Sequence, residues 1–127
     1  MAFIINRIKS LYYVFVGMWY LIRTEAAIIV HIFTTLLLTF LGFYVGITPT
    51  EWMVQIIGCG LVLTVEGLNT AIEKSCDFIH PDYHKEIGNI KDVSAGAVGF
   101  MVGAVTIVLA IIYYPYFFNF LSKFLHI

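Results

Sequence analysis

Residues 26–47 and 93–122 contain no Asp, Glu, Lys or Arg, and a third run, 52–72, is uncharged until Glu66. A helix needs about 20 apolar residues to cross a bilayer, so all three runs qualify. At 61% hydrophobic and 12% charged, the chain lies far from a soluble globular average. The expected fold class is an all-α membrane protein in a single membrane domain, residues 1–127. It would comprise an N-terminal interfacial amphipathic helix (about 3–22), three membrane helices (26–47, 52–79 and 93–121) and a loop at 80–92. The aromatic stretch LYYVFVGMWYLI, residues 11–22, is too short to span and suits a helix lying in the interface. Arg23 and Glu25 follow it, where a signal peptide would carry a small-residue cleavage site.

Basic residues set the expected orientation. Arg7, Lys9 and Arg23 precede the first span, and Lys74, Lys85 and Lys91 lie between the second and third. The link TPTE at 48–51 has none. The positive-inside rule places the N-terminus and the 80–92 loop in the cytosol and the C-terminus outside. A net charge of −1 predicts no nucleic-acid partner. Cys59 and Cys76 stand too far apart in sequence for a metal or disulfide framework and read as buried thiols.

The second span then breaks its own pattern. VEGLNTAIEKSCD, residues 65–77, places Glu66, Asn69, Glu73 and Asp77 within roughly an 80° arc of one helix, with Lys74 just outside it. The run 53–65 covers about 20 Å of a hydrocarbon layer about 30 Å thick, so Glu66 is expected inside the membrane. A charge at the bilayer centre costs at least ~2.5 kcal/mol. Glu66 is shallower and costs less, but it should face protein or a water-filled cleft. For Asp77 alone, a helix leaving the membrane with its acid wetted explains as much. For the whole face it does not, because the stripe begins within the span.

The spacing suggests a use. Glu66 and Glu73 are about 10 Å apart along the axis, which separates a base near the lipid from an acid near water. A transferring phosphate and its magnesium fit between them, beside Asn69. Mg²⁺ takes hard oxygens, one or two carboxylates plus substrate phosphates, and Glu25 at the mouth of the first span is a candidate second carboxylate. Two acids brought together without a cation would repel. The loop HPDYHKEIGNIKD, 80–92, has no GxxxxGK[ST] or GxGxxG, so a nucleotide would need another arrangement. Lys85 and Lys91 offer charge for phosphates, and Tyr83 and His84 offer surfaces for a base. A zinc pair of His80 and His84 lacks an obvious third ligand. Lys91 and Asp92, taken alone, read as a surface ion pair. Ala95, Gly99 and Gly103 repeat every four residues, a seam for close helix packing within or between subunits. Tyr12, Tyr13, Trp19 and Tyr20 at one end and Tyr113, Tyr114 and Tyr116 at the other read as interfacial belts.

EGLNTAIEKSCD followed by YHKEIGNIKDVSAGAV closely resembles the signature of the prokaryotic diacylglycerol kinase family, small three-helix membrane enzymes that phosphorylate lipid alcohols with ATP. The resemblance runs from about Arg7 to Ile112. It implies that Glu66 is the general base and that Glu25 and Glu73 carry Mg²⁺. Asn69, Asp77, Lys91 and Asp92 match the nucleotide-side polar set, Tyr83 and His84 the matching loop, and Tyr13 an aromatic near the nucleotide. With Glu25 and Glu73 these make the expected ATP site. Homotrimers with sites between subunits, in a bacterial inner or plasma membrane, are likewise implied. The sequence departs from the pattern at EAAIIVH, 25–31, where many members carry an Arg or Lys, and near Arg7, which stands beside the expected basic position. His31 and Glu51-Trp52 resemble the undecaprenol kinase branch, though a histidine at 31 also fits as an uncharged helix-facing side chain.

The resulting expectation is a Mg²⁺-dependent kinase converting diacylglycerol to phosphatidic acid, with undecaprenol as the alternative acceptor. An ion or proton relay is the competing class. Against it, the acids cluster in one half of the membrane, and span one adds only His31. A non-catalytic assembly subunit leaves the acidic stripe unexplained.

Overall fold

A computed structural model describes residues 2–125. Four helices follow one another: α1, Ala2–Thr24; α2, Ala26–Val45; α3, Pro49–Ile79; and α4, Lys85–Leu125. No strand occurs among the described residues. α2, α3 and α4 are each long and apolar enough to cross a membrane.

The turn between α2 and α3 is set by local chemistry. Gly46 adopts φ 72° and ψ 51°, a left-handed conformation that glycine enters without a Cβ penalty. Its amide and that of Ile47 both bond to the Gly42 carbonyl, at 3.0 and 3.1 Å. Thr48 and Glu51 then form a reciprocal capping box, with Pro49 in the first turn. α3 therefore starts at Pro49, three residues before the expected boundary, because the TPTE link is a helix start. The Trp52 indole covers Gly42, where an added Cβ would lie 2.9 Å from the ring, and it packs against Phe43 with ring centroids 4.7 Å apart.

At the other end, His80 caps α3 through its amide and the Cys76 carbonyl, and Pro81 follows. α4 begins at Lys85, well inside the segment expected to be a loop. The charges of 85–92 keep that turn out of lipid without preventing helix. Lys91 and Asp92 consequently ride on a helix. α4 also passes through Pro115 and continues to Leu125, beyond the expected end at 121.

α4 runs antiparallel along α3 and makes the main interface, α2 packs on α3 less extensively, and α1 touches α2 lightly. The close approach of α3 and α4 is at Gly58, where a Cβ would meet Val105 at 3.2 Å. Gly99 and Gly103, by contrast, face open space, so their seam packs nothing within the chain. The buried core among the described residues is thin: Ile28, Ile47, Cys59, Val62, Cys76 and Ile112 with Gln55, Asn69, Thr70 and Ser94. Both cysteines are buried free thiols.

One polar contact ties three helices together inside this core. The Tyr113 hydroxyl lies 2.7 Å from Gln55 Oε1 and 3.0 Å from the Leu38 carbonyl. One proton serves one acceptor, so turning the Gln55 amide over lets it donate to Tyr113, which donates to Leu38. Gln55 is 2% exposed. Tyr113→Phe should therefore destabilise the fold by about 1–2 kcal/mol, read by thermal unfolding in detergent. Tyr116→Phe, whose partner Glu51 sits at the helix start, should cost less. Equal effects would remove the special weight of the buried amide.

Candidate functional site

The polar stripe of α3 lies where its periodicity predicts. With α3 starting at Pro49, Glu66 stands about 26 Å along the helix, a few ångströms short of crossing a layer about 30 Å thick. Its side chain is half-buried. No hydrogen bond or ion pair reaches it among the described residues. A turn further on, Asn69 is buried and donates its amide to Glu73 Oε1 at 3.0 Å. Asn69 Oδ1 is buried with no partner among the described residues, an acceptor left open beside a carboxylate. Asp77 is exposed and receives the Lys91 ammonium of α4, which ties the ends of α3 and α4 together.

Glu25 occupies the junction of α1 and α2. It is the N-cap of α2 with extended backbone, yet its carboxylate makes no capping bond. Instead it turns toward α3. Glu25 Oε1 accepts from Lys74 Nζ at 3.0 Å and from Thr24 Oγ1 at 2.9 Å. The Lys74 ammonium and the Thr24 hydroxyl hold the Glu25 carboxyl below its usual value, because both stabilise the ionised form. Lys74 also stands over the Tyr20 ring, 5.5 Å from its centroid, and so links α3 to α1 and to the junction.

The 80–84 link forms an open hollow of about 180 Å³ whose wall includes Asp77, His80, Tyr83, His84, Gly88 and Lys91. Tyr83 is 92% exposed. The His84 and His80 rings lie 5.1 Å apart, and His80 Nδ1 is 2.9 Å from the Asp82 carbonyl. Asp92 is exposed on α4. Tyr13 is exposed on α1 with its ring edge-on to Tyr12, centroids 5.6 Å apart. No contact joins Tyr13 to the other candidates among the described residues. His31 is half-buried beside a narrow cleft of about 90 Å³ with Thr35, Cys59, Val62 and Thr106. On the α1 side, Met18, Leu21, Ile28, Ile32, Leu63 and Gly67 help line an apolar cleft of about 420 Å³.

The structure thus groups Asn69 with Glu73, and Asp77 with Lys91, Tyr83 and His84. It gives Glu25 a partner that sequence reasoning missed. Lys74 falls off the polar arc of its own helix, and only the meeting of three elements reveals its role.

No group of three or more His, Cys, Asp or Glu suited to holding a metal occurs among the described residues. Glu25 and Glu73 are carboxylates and Asn69 has an open amide oxygen, hard oxygens of the kind Mg²⁺ takes with water and phosphate, and the structure pairs only Asn69 with Glu73.

Comparison with known proteins gives two matches. The family model described as prokaryotic diacylglycerol kinase matches residues 12–113. An undecaprenol kinase of Bacillus subtilis (strain 168) is 35% identical over 82 residues, covering 65% of this chain and 67% of that protein.

Proposed function

Since the chain belongs to the prokaryotic diacylglycerol kinase family and is a lipid kinase, using ATP as its co-substrate, we propose that it phosphorylates diacylglycerol to phosphatidic acid at the stripe of α3. The observation that carries this reading is Glu66: a half-buried carboxylate without a partner among the described residues, at membrane depth and on the same helix face as Asn69 and Glu73. An ionised side chain in that position has a standing cost that a proton-accepting role explains.

The hydroxyl oxygen of the lipid attacks the γ-phosphorus in line, its proton passes to Glu66, and the bond to the bridging oxygen of ADP breaks. Glu66 lies towards the lipid and Glu73 towards the water, so acceptor and nucleotide approach from opposite ends of the stripe. Asn69 holds Glu73 in register through its amide. Lys91, poised between Asp77 and the hollow, meets the phosphates. Tyr83 and His84 border the nucleotide, Asp92 lies on the adjoining turn of α4, and Tyr13 approaches from α1. Glu25 and Glu73 would hold Mg²⁺, which supplies charge neutralisation for the transferring group. The apolar cleft between α1, α2 and α3 suits an acyl chain, and the bulk of the lipid stays in the bilayer.

The same reading puts the N-terminus and the 80–84 link in the cytosol of a bacterial cell, where ATP is found, on the strength of the basic residues at those ends. It also takes the chain as a homotrimer. The open face of Gly99 and Gly103 and the large apolar surface of α4 support a helix from a neighbouring copy.

A second acceptor, undecaprenol, is favoured by the Bacillus relative. Supplying the purified protein with ATP labelled in the γ-phosphate and both lipids side by side decides the matter. Label is expected in phosphatidic acid. Label in undecaprenyl phosphate alone transfers the reading to the second acceptor, and ion flux without label in either lipid defeats both.

A further inference from the structure

We propose that Lys74 is a tethered stand-in for the divalent cation: its ammonium and the metal compete for Glu25, so the site takes up metal poorly until nucleotide brings it. The inference rests on the reading of Glu25 as a metal carboxylate, and it concerns a residue outside the stripe.

The geometry is specific about the atom involved. Each oxygen of a carboxylate has about two lone-pair directions. Glu25 Oε1 accepts from Lys74 Nζ at 3.0 Å and lies 2.9 Å from Thr24 Oγ1, whose one proton the Tyr20 carbonyl also approaches. No partner reaches Oε2 among the described residues, but a metal ion bound to either oxygen sits close to the ammonium, and the two positive charges compete for one carboxylate. The ammonium carries the same sign of charge as the metal and is the one repelled. Thr24 is neutral and can turn its one proton to the Tyr20 carbonyl at 3.0 Å, so it can stay.

The carboxylate has, moreover, been diverted to make this pair. Glu25 is the N-cap residue of α2 but leaves the capping position unused, although a side-chain oxygen there normally accepts a bond from the first turn. The Lys74 ammonium also stands over the Tyr20 ring, 5.5 Å from its centroid, which helps hold it at the junction. Lys74 directly follows Glu73, so one turn of α3 carries both a proposed metal ligand and the cation that guards the other. With Lys91 on Asp77, Glu66 and Glu73 are the two acids of the stripe without a cationic partner among the described residues.

A bare divalent ion has to win Glu25 from a neighbour that is always present. An ion that arrives with a triphosphate brings further oxygens to its own shell and offers the displaced ammonium phosphate oxygens to bind. The device therefore favours the metal–nucleotide complex over the metal alone.

The test is Mn²⁺ binding to the purified, nucleotide-free protein in detergent, followed by electron paramagnetic resonance of the free ion. Lys74→Met should bind Mn²⁺ about two- to fivefold more tightly than the parent, the range expected for releasing an exposed ion pair. Lys74→Arg, which keeps the pair, should match the parent. Unchanged or weaker binding in Lys74→Met overturns the competition and leaves Lys74 a staple between helices. Glu25→Gln is the separate control: it should lose most Mn²⁺ binding, and if it binds as the parent does, Glu25 is no metal ligand and the functional reading fails at that residue.

Discussion

Glu66→Gln is expected to lower phosphoryl transfer about a hundred- to ten-thousandfold, the usual contribution of a positioned general base, while the protein folds at least as well as the parent. Gln has the same shape, and it removes a charge that no hydrogen bond or ion pair supports among the described residues. Taking an ionised group out of the membrane region is favourable, so thermal unfolding in detergent should stay level or shift upward. Saturation with ATP and with lipid should change little, because the acid is assigned to the proton and not to either ligand's binding. Loss of rate with gain of stability is the pattern of a residue kept for chemistry at a cost to the fold. Normal turnover in a Glu66→Gln protein that binds both substrates would refute the base assignment. A protein that unfolds more readily would mark Glu66 as structural.

That a single helix face carries Glu66, Asn69, Glu73 and Asp77 was legible in the sequence because it depends only on helical periodicity. The Asn69–Glu73 bond is a four-residue spacing along the same helix, and the three membrane-length runs needed only a count of uncharged residues. What escaped depends on charge being compatible with helix, or on distant segments meeting. The first turns of α4, Lys85 to Asp92, look like a loop by hydropathy, yet they form helix and bring Lys91 to Asp77. Pro115 lies inside α4, as it does in the expected span 93–121, and α4 runs on to Leu125. Gln55 sits in an apolar run with nothing to mark it, and its buried bond to Tyr113 requires the register of α3 against α4. The Glu25–Lys74 pair requires the α1–α2 junction to lie against α3. No spacing along the chain encodes that meeting.

Glu73 allows a sharper separation of structure from chemistry than any other acid of the stripe, because its neighbour reports on it. Glu73→Gln still offers an oxygen to the Asn69 amide, so the 3.0 Å bond survives and only the charge is lost. Glu73→Ala removes the acceptor as well. Asn69 already has a buried Oδ1 without a partner, and the Glu73→Ala protein would leave its amide unpaired too. An unsatisfied buried donor costs about 1–3 kcal/mol, so Glu73→Ala should unfold earlier than the parent and Glu73→Gln should not. Both should lose activity alike, about a hundred- to a thousandfold, the scale of removing one electrostatic contact from a transferring group. The apparent requirement for Mg²⁺ should rise in both, since a carboxylate proposed to carry the ion has gone. Activity in Glu73→Gln close to the parent's, with only Glu73→Ala impaired, would make this acid a prop for Asn69 and would leave Glu25 alone to hold the metal.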